Sequence, residues 1–226
     1  MRTHTFVGRV CFASLLALSS LVHGEIIIDD FSTPFANPSE LGTTSGVFQQ
    51  FQQQPAGAIG DRNARFFVTP VNGLGGNLSI LPSQNKLVVS NDATVQDYAF
   101  AIEYSVTDLD LSGQNQFTFE LEGDLDDRQV PAVARFGINV TSGGQTESRG
   151  INVSADGRYS IPFSLYTNTD FSDVDGIEIA SNNDQNMFLG ADYTIGTVSA
   201  VPEPSSGAML MTFLGMGLTG LRMRKA

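Results

Sequence analysis

The sequence predicts an all-β protein, a single two-sheet sandwich of jelly-roll type, and three observations predict it. No stretch between Glu25 and Val201 sustains the periodicity of an amphipathic helix. Several segments alternate apolar and polar residues without a break, the pattern of a strand with one buried face. Short β-branched or aromatic runs recur throughout, bounded by Gly, Asn, Asp and Pro. The 177 residues from Glu25 to Val201 have the length of one domain.

Ile26 to Ile28 reads as a first strand buried on both sides, ending at Asp29-Asp30-Phe31. Thr33 to Gly60 has no clear period, carries Pro34, Pro38 and Pro55 and includes the Gln-rich run from Phe48 to Gln54. It reads as a long surface loop with Phe48 and Phe51 turned inward. Strand character resumes from Arg65 to Val71, and Asn72-Gly73-Leu74-Gly75-Gly76 turns the chain into Leu78 to Leu81 and Lys86 to Ser90. Tyr98 to Val106 is the clearest strand, with Tyr98, Phe100, Ile102, Tyr104 and Val106 on one face. Gln116 to Glu122 follows the same rule through Phe117, Phe119 and Leu121, as does Ala132 to Val140 through Ala134, Phe136, Ile138 and Val140. Arg149 to Val153, Arg158 to Phe163, Gly176 to Ala180 and Tyr193 to Ala200 complete about eleven strands.

The two ends differ from this body. Arg2 and Arg9 precede an apolar or small run from Val10 to Val22, and Val22-His23-Gly24 suits a signal peptidase. A secretory signal over residues 1–24 is expected, cleaved between Gly24 and Glu25. Cys11 follows Gly8-Arg9-Val10, which is no lipobox. At the other end Pro202-Glu203-Pro204 precedes fifteen uncharged residues, Gly207 to Leu221, and then Arg222, Arg224 and Lys225. Such a run enters a membrane as a transmembrane helix whose basic end stays in the cytoplasm. At about 1.5 Å per residue it is short against a hydrocarbon core of about 30 Å, which suits transient insertion better than permanent anchoring.

Residues 201–226, with the Pro-Glu-Pro motif, apolar helix and basic tail in that order, resemble the PEP-CTERM sorting signal of Gram-negative bacteria. The resemblance implies an exosortase as processing partner beside signal peptidase. It further implies brief insertion in the inner membrane and release to the cell surface or an exopolysaccharide matrix. A plain C-terminal anchor is the alternative.

The body between the two processing points, residues 25–200, contains no His, Cys or Trp. That excludes Ser-His-Asp and Cys-His catalysis, imidazole-bound zinc and disulfide staples, so a packed core must hold it together. From Glu25 to Val201, seven Lys plus Arg stand against twenty-three Asp plus Glu, a net charge of −16 that excludes nucleic acid as a partner. The same acidity attracts Ca²⁺. If the first strand end lies beside the last strand, Asp29, Asp30 and Asp192 form a candidate structural calcium site; ordinary turn formation is the alternative. The acidic turn of Glu122, Asp124, Asp126 and Asp127 is a second such candidate. Asp170 to Gly176 lacks the end carboxylates of an EF-hand, and Asp173 and Asp175 read as turn caps.

Ile28-Asp29-Asp30-Phe31, Asp108-Leu109-Asp110-Leu111-Ser112-Gly113 and Phe171-Ser172-Asp173-Val174-Asp175-Gly176-Ile177 resemble landmarks of galactose-binding-like jelly rolls. That resemblance implies a non-catalytic module and a possible exopolysaccharide or other glycan partner. Rings that could stack on sugar are Tyr104, Tyr159 and Tyr166. If the strands at Phe117 and Phe136 pair, Thr118, Glu120, Arg135 and Asn139 share one outer face, the expected glycan face. A self-associating structural or adhesive matrix protein is the alternative role. Catalysis is open only to carboxylates, with Glu120 and Glu122 the pair for a glycoside hydrolase.

Overall fold

The computed structural model describes residues 24–35, 40–43, 49–53, 59–69, 76–91, 97–124, 134–153, 155–182 and 192–202. Among them run fourteen strands. The first seven are β1 (Ile26–Asp29), β2 (Glu40–Thr43), β3 (Gln49–Gln53), β4 (Asp61–Thr69), β5 (Gly76–Leu81), β6 (Lys86–Asn91) and β7 (Asp97–Leu109). The others are β8 (Gln116–Asp124), β9 (Ala134–Ser142), β10 (Gln145–Val153), β11 (Gly157–Pro162), β12 (Val174–Asn182), β13 (Asp192–Ile195) and β14 (Val198–Val201).

They form two antiparallel sheets. Six strands lie in the order β10-β9-β12-β7-β4-β3, and eight follow the path β1-β14-β8-β13-β6-β5-β2, with β11 on β8. Phe117 pairs with Ala200 and with Ile161, so β14 and β11 occupy opposite edges of β8. Leu121 pairs with Ile195 and with Gly157, which puts β13 on the β14 edge. β13 and β14 are therefore one strand bent at Gly196 and Thr197, and Gly196 N donates to Glu120 O across the bend at 2.9 Å.

Alternation decides what is buried. Phe100, Ile102 and Tyr104 of β7, Phe117, Phe119 and Leu121 of β8, and Phe136, Ile138 and Val140 of β9 all point between the sheets. The Phe119 and Phe136 rings meet across the sandwich at 4.0 Å. At one pole Phe117, Phe163, Tyr166 and Phe171 cluster, with Phe163 and Phe171 stacked at 3.8 Å. Leu111 N donates to Phe171 O at 2.7 Å, joining the second and third sequence landmarks.

The first landmark enters the core by another route. A register shift between Ile27 and Asp29 turns both Ile28 and Asp29 inward. Asp29 accepts from Arg62 Nε at 2.8 Å and Nη2 at 2.7 Å, from Tyr104 O–H at 2.5 Å and from Phe31 N at 2.8 Å. Arg62 also donates to Thr33 O at 2.8 Å and lies against the Phe31 and Phe35 rings. Burial, then the Asp29 charge, pushes the Tyr104 phenol well above its ordinary range. This bidentate pair joins β1 of one sheet to β4 and β7 of the other.

Three expectations change. The Gln-rich run is an edge strand: Gln49 to Gln53 pair with Phe66 to Arg62, because the open edge of β4 offers backbone partners that a loop would need water to replace. Glu40–Thr43 likewise pairs with β5, whereas Phe48 lies outside the described residues. The strands at Phe117 and Phe136 belong to different sheets, since period-two alternation specifies the inward face but never the neighbour. Gly24, Glu25, Val201 and Pro202 are described, while Glu203, Pro204, Arg222, Arg224, Lys225 and both apolar runs lie outside the described residues. Among the described residues no helix is long and apolar enough to cross a membrane.

Candidate functional site

A row of very small residues crosses the outer face of the six-stranded sheet. Gly150 pairs with Gly137, Gly137 with Ala180, Ala180 with Ala101, and Ala101 with Arg65, so five adjacent strands contribute one transverse line. Each lies between inward-facing neighbours and therefore presents outward. A Cβ on Gly150 would stand 3.0 Å from Phe136 O and 3.4 Å from Arg135 Nε, and one on Gly137 would stand 3.1 Å from Arg149 O. At these two glycines a larger side chain does not fit without displacing backbone or Arg135.

Polar residues wall the line. Two positions along each strand, Ser148, Asn139, Glu178, Glu103 and Asn63 form a parallel row. On the opposite side stand Asn152 and Arg135 of β10 and β9, with Ala99 of β7 at the same level. Arg135 and Asn139 lie four residues apart, so the walls are separated by roughly 13 Å at about 3.3 Å per residue. The deepest part is a cavity of about 310 Å³ lined by Ala99, Arg135, Gly137, Asn139, Gly150 and Ala180.

Electrostatics within the trough are arranged but incomplete. Glu178 sits directly opposite Glu103, a like-charge pairing that costs stability. Arg65 Nη2 forms an ion pair with Glu178 Oε2, and Asn139 Nδ2 donates to Glu178 Oε1 at 2.5 Å. Arg135 has no hydrogen-bond or ion-pair partner among the described residues, and its side chain is exposed. The trough thus offers a guanidinium with no partner among the described residues, fixed carboxylate and amide groups, and a flat floor against which sugar C–H faces can lie.

The opposite face carries a cavity of about 400 Å³, lined by Glu25, Ile27, Thr118, Glu120, Arg158, Thr197 and Ser199. Its groups are mostly consumed by one another. Ser199 Oγ donates to Glu25 Oε1 at 2.5 Å, so Thr118 must supply the proton of the 3.0 Å Thr118–Ser199 bond. Arg158 Nη2 donates to Thr118 Oγ1 at 3.3 Å. The chain of donors runs from Arg158 to Thr118 to Ser199 to Glu25.

The structure consequently splits the expected glycan face. Arg135 and Asn139 wall the trough, whereas Thr118 and Glu120 lie on the other outer face of the sandwich. The small residues of the floor were the signal missed: their outward parity is readable, but their alignment needs the register. Tyr104 is buried against Asp29, and Tyr166 is buried with its O–H donating to Ile138 O at 2.8 Å. Tyr159 lies against the Phe119 ring at 5.7 Å and donates to Ala155 O. None of these three rings is an open platform. Of the carboxylate pair, Glu122 is bound by Lys86 and Glu120 faces Arg158 across β11.

Asp29, Asp30 and Asp192 are not brought together. Asp29 is turned inward onto Arg62, while hydrogen bonding from the Ser32 side chain, and then from Ser32 N at 3.0 Å, holds the Asp30 carboxyl below its ordinary range. Asp192 pairs with Asp124, five residues along β8 from the level of Asp29's partner Val198, roughly 17 Å away. Among the described residues no group of three or more metal-ligating side chains forms a site. Of the second acidic candidate, Asp126 and Asp127 lie outside the described residues. Asp170, rather than Asp173 or Asp175, caps its turn, accepting from Ser172 N and Oγ at 2.9 and 2.6 Å.

No family profile and no curated protein matches the chain. Among solved structures it is similar to the family 11 carbohydrate-binding module of a cellulosomal cellulase of Clostridium thermocellum. That match has 17% identity over 81% of this chain and 96% of the module, with a TM-score of 0.41. It is also similar to a carbohydrate-binding module specific for non-crystalline cellulose, at 11% identity over 61% and 81% of the two chains and a TM-score of 0.38. A third is the CBM22-1 and GH10 module pair of a Clostridium thermocellum endo-1,4-β-D-xylanase complexed with xylohexaose, 11% identical over 80% of this chain and 29% of that one, TM-score 0.36. At these values the likeness assigns this chain neither a family nor a ligand.

Proposed function

We propose that this chain is an exported, non-catalytic β-sandwich that binds an extended glycan in the trough across its six-stranded sheet. Signal peptidase and an exosortase process it, and the body is released to the cell surface or an exopolysaccharide matrix. The observation that supports the binding reading is the Gly150-Gly137-Ala180-Ala101 floor between polar walls, with the exposed Arg135 beside it. A chain of sugar rings could lie along this line, its hydroxyls meeting Asn139, Ser148, Glu178 and Glu103. The larger cavity opposite suits binding less well, because its hydroxyls already bond one another and Glu25.

The test is affinity electrophoresis of the processed protein through gels containing neutral or acidic polysaccharides. Retardation in at least one gel is expected, and Ala180→Tyr, which fills the floor from an outward position, should abolish it while leaving the melting temperature unchanged. Free migration of the folded wild type in every gel would remove the binding reading. Sorting is tested separately by mass spectrometry of surface and supernatant fractions with and without the host exosortase. A mass ending near Pro202 to Pro204 only when the exosortase is present is expected; an intact tail in both strains would show a plain anchor.

A further inference from the structure

Two neighbouring residues in the link between β7 and β8 hold both ends of the body. Gln114 Nε2 donates to Gly24 O at 3.0 Å, and Asn115 N donates to Val201 O at 2.9 Å. Gln114 is only 8% exposed, yet its Oε1 is buried without a partner. A buried amide with one end unmet destabilises the fold and calls for a reason.

Cleavage between Gly24 and Glu25 supplies one. It removes the Gly24 carbonyl, the only acceptor of Gln114 Nε2 among the described residues, and converts Glu25 N into an ammonium with three donors and no acceptor. That nitrogen belongs to the same planar peptide unit as the Gly24 oxygen, one carbonyl carbon away from the atom that Gln114 bonds. Residue 25 is held there independently, by pairing of the adjacent Ile26 with Ala200 and by the Ser199 bond to the Glu25 carboxylate. We propose that Gln114 is the docking site of the new amino terminus: after processing, its amide turns and Oε1 accepts from the Glu25 α-ammonium. The intact chain leaves this acceptor unmet, and the processed chain uses it. The inference rests on the proposed cleavage after Gly24.

The charged groups near the docked amine are the Glu25 carboxylate itself and, across the cavity Glu25 lines, Glu120 and Arg158. The core extends from Ile28 to Ala200. A body cut to begin at Glu25 therefore retains every core residue, and can be compared with one beginning at Gly24.

The experiment measures the α-amine pKa of both bodies by NMR after isotopic labelling of the amino terminus. In the Glu25 body it is expected about one pH unit above the ordinary value of about 7.7–8.0, because docking favours the charged form. In the Gly24 body it should be ordinary. Gln114→Leu should return the Glu25 body to the ordinary value, and Gln114→Glu should raise it further, so a poorly folding leucine variant leaves the glutamate variant decisive. The linked stability is present below about pH 7.7 and lost as pH rises through the folded pKa. An ordinary α-amine in the folded Glu25 body, or one indifferent to Gln114→Glu, would overturn docking. A secreted mass beginning elsewhere than Glu25 would instead overturn the processing site while leaving the measured chemistry of the defined body intact.

Discussion

Arg62 and Arg65 stand three residues apart on one strand and enter opposite surroundings. Arg62 is 1% exposed and binds Asp29 across the two sheets; the Arg65 side chain is 37% exposed and binds Glu178 on the outer face. Both pair a guanidinium with a carboxylate. In the dry interior, losing one partner strands a charge, so the Arg62 pair fixes how β1 sits on the second sheet. In the wet trough water can replace either partner, so the Arg65 pair contributes little to stability and instead holds Glu178 in place. The same chemistry on one strand serves structure on one side and presentation on the other.

The largest effect should come from the inner pair. Asp29→Ala leaves Arg62 buried without its anion and is expected to cost about 3–5 kcal/mol in urea unfolding. Combining Asp29→Leu with Arg62→Met should recover much of that loss, which would sharpen the view that the pair specifies sheet alignment more than it adds net stability. Tyr104→Phe removes one O–H donor to the buried carboxylate, an expected loss of about 1.5–3 kcal/mol measured the same way. Arg65→Met should change stability by less than about 1 kcal/mol while weakening glycan retardation, since Glu178 then faces Glu103 without its cation. If Arg65→Met cost as much as Asp29→Ala, the contrast between the two faces would collapse.

The smallest effect is confined to acid. Local desolvation pushes the Glu147 carboxyl up, but N–H donors from Asn168 and Thr167, the Thr169 hydroxyl and Arg149 outweigh it and bring the pKa down to about 2. A carboxyl lowered on folding stabilises the folded state above its ordinary 4.5 and loses that contribution as pH falls through about 2. Glu147→Gln should therefore flatten the acid limb of the stability profile between those values and leave neutral-pH glycan retardation unchanged.

Much of this contrast was legible before any coordinates. Alternation through Phe100, Ile102 and Tyr104 and through Phe136, Ile138 and Val140 separates core from surface correctly, because a one-residue slip would exchange the faces. The same alternation contains no information about which strand lies beside which. Residues 116–124 and 134–142 read as neighbours, yet the intervening segment carries the chain from one sheet to the other. The trough follows from that gap: Gly150, Gly137, Ala180 and Ala101 are each visible as small outward residues, but three separate pairings bring them into line. Asp29 was misjudged for a related reason, since its partner lies thirty-three residues away and a register shift in β1 puts two consecutive residues inside.

Pairing of β1 with β14 also sets how the body would respond to tension. Ile26 lies opposite Ala200, so the chain enters β1 and leaves β14 at adjacent points on the same pole. Traction between those points would open the ladder one rung at a time, as a zipper opens, instead of shearing all its rungs together. A body built this way resists little force as a link in a taut strand. It is suited to hang from a single attachment, with its trough turned toward whatever it holds.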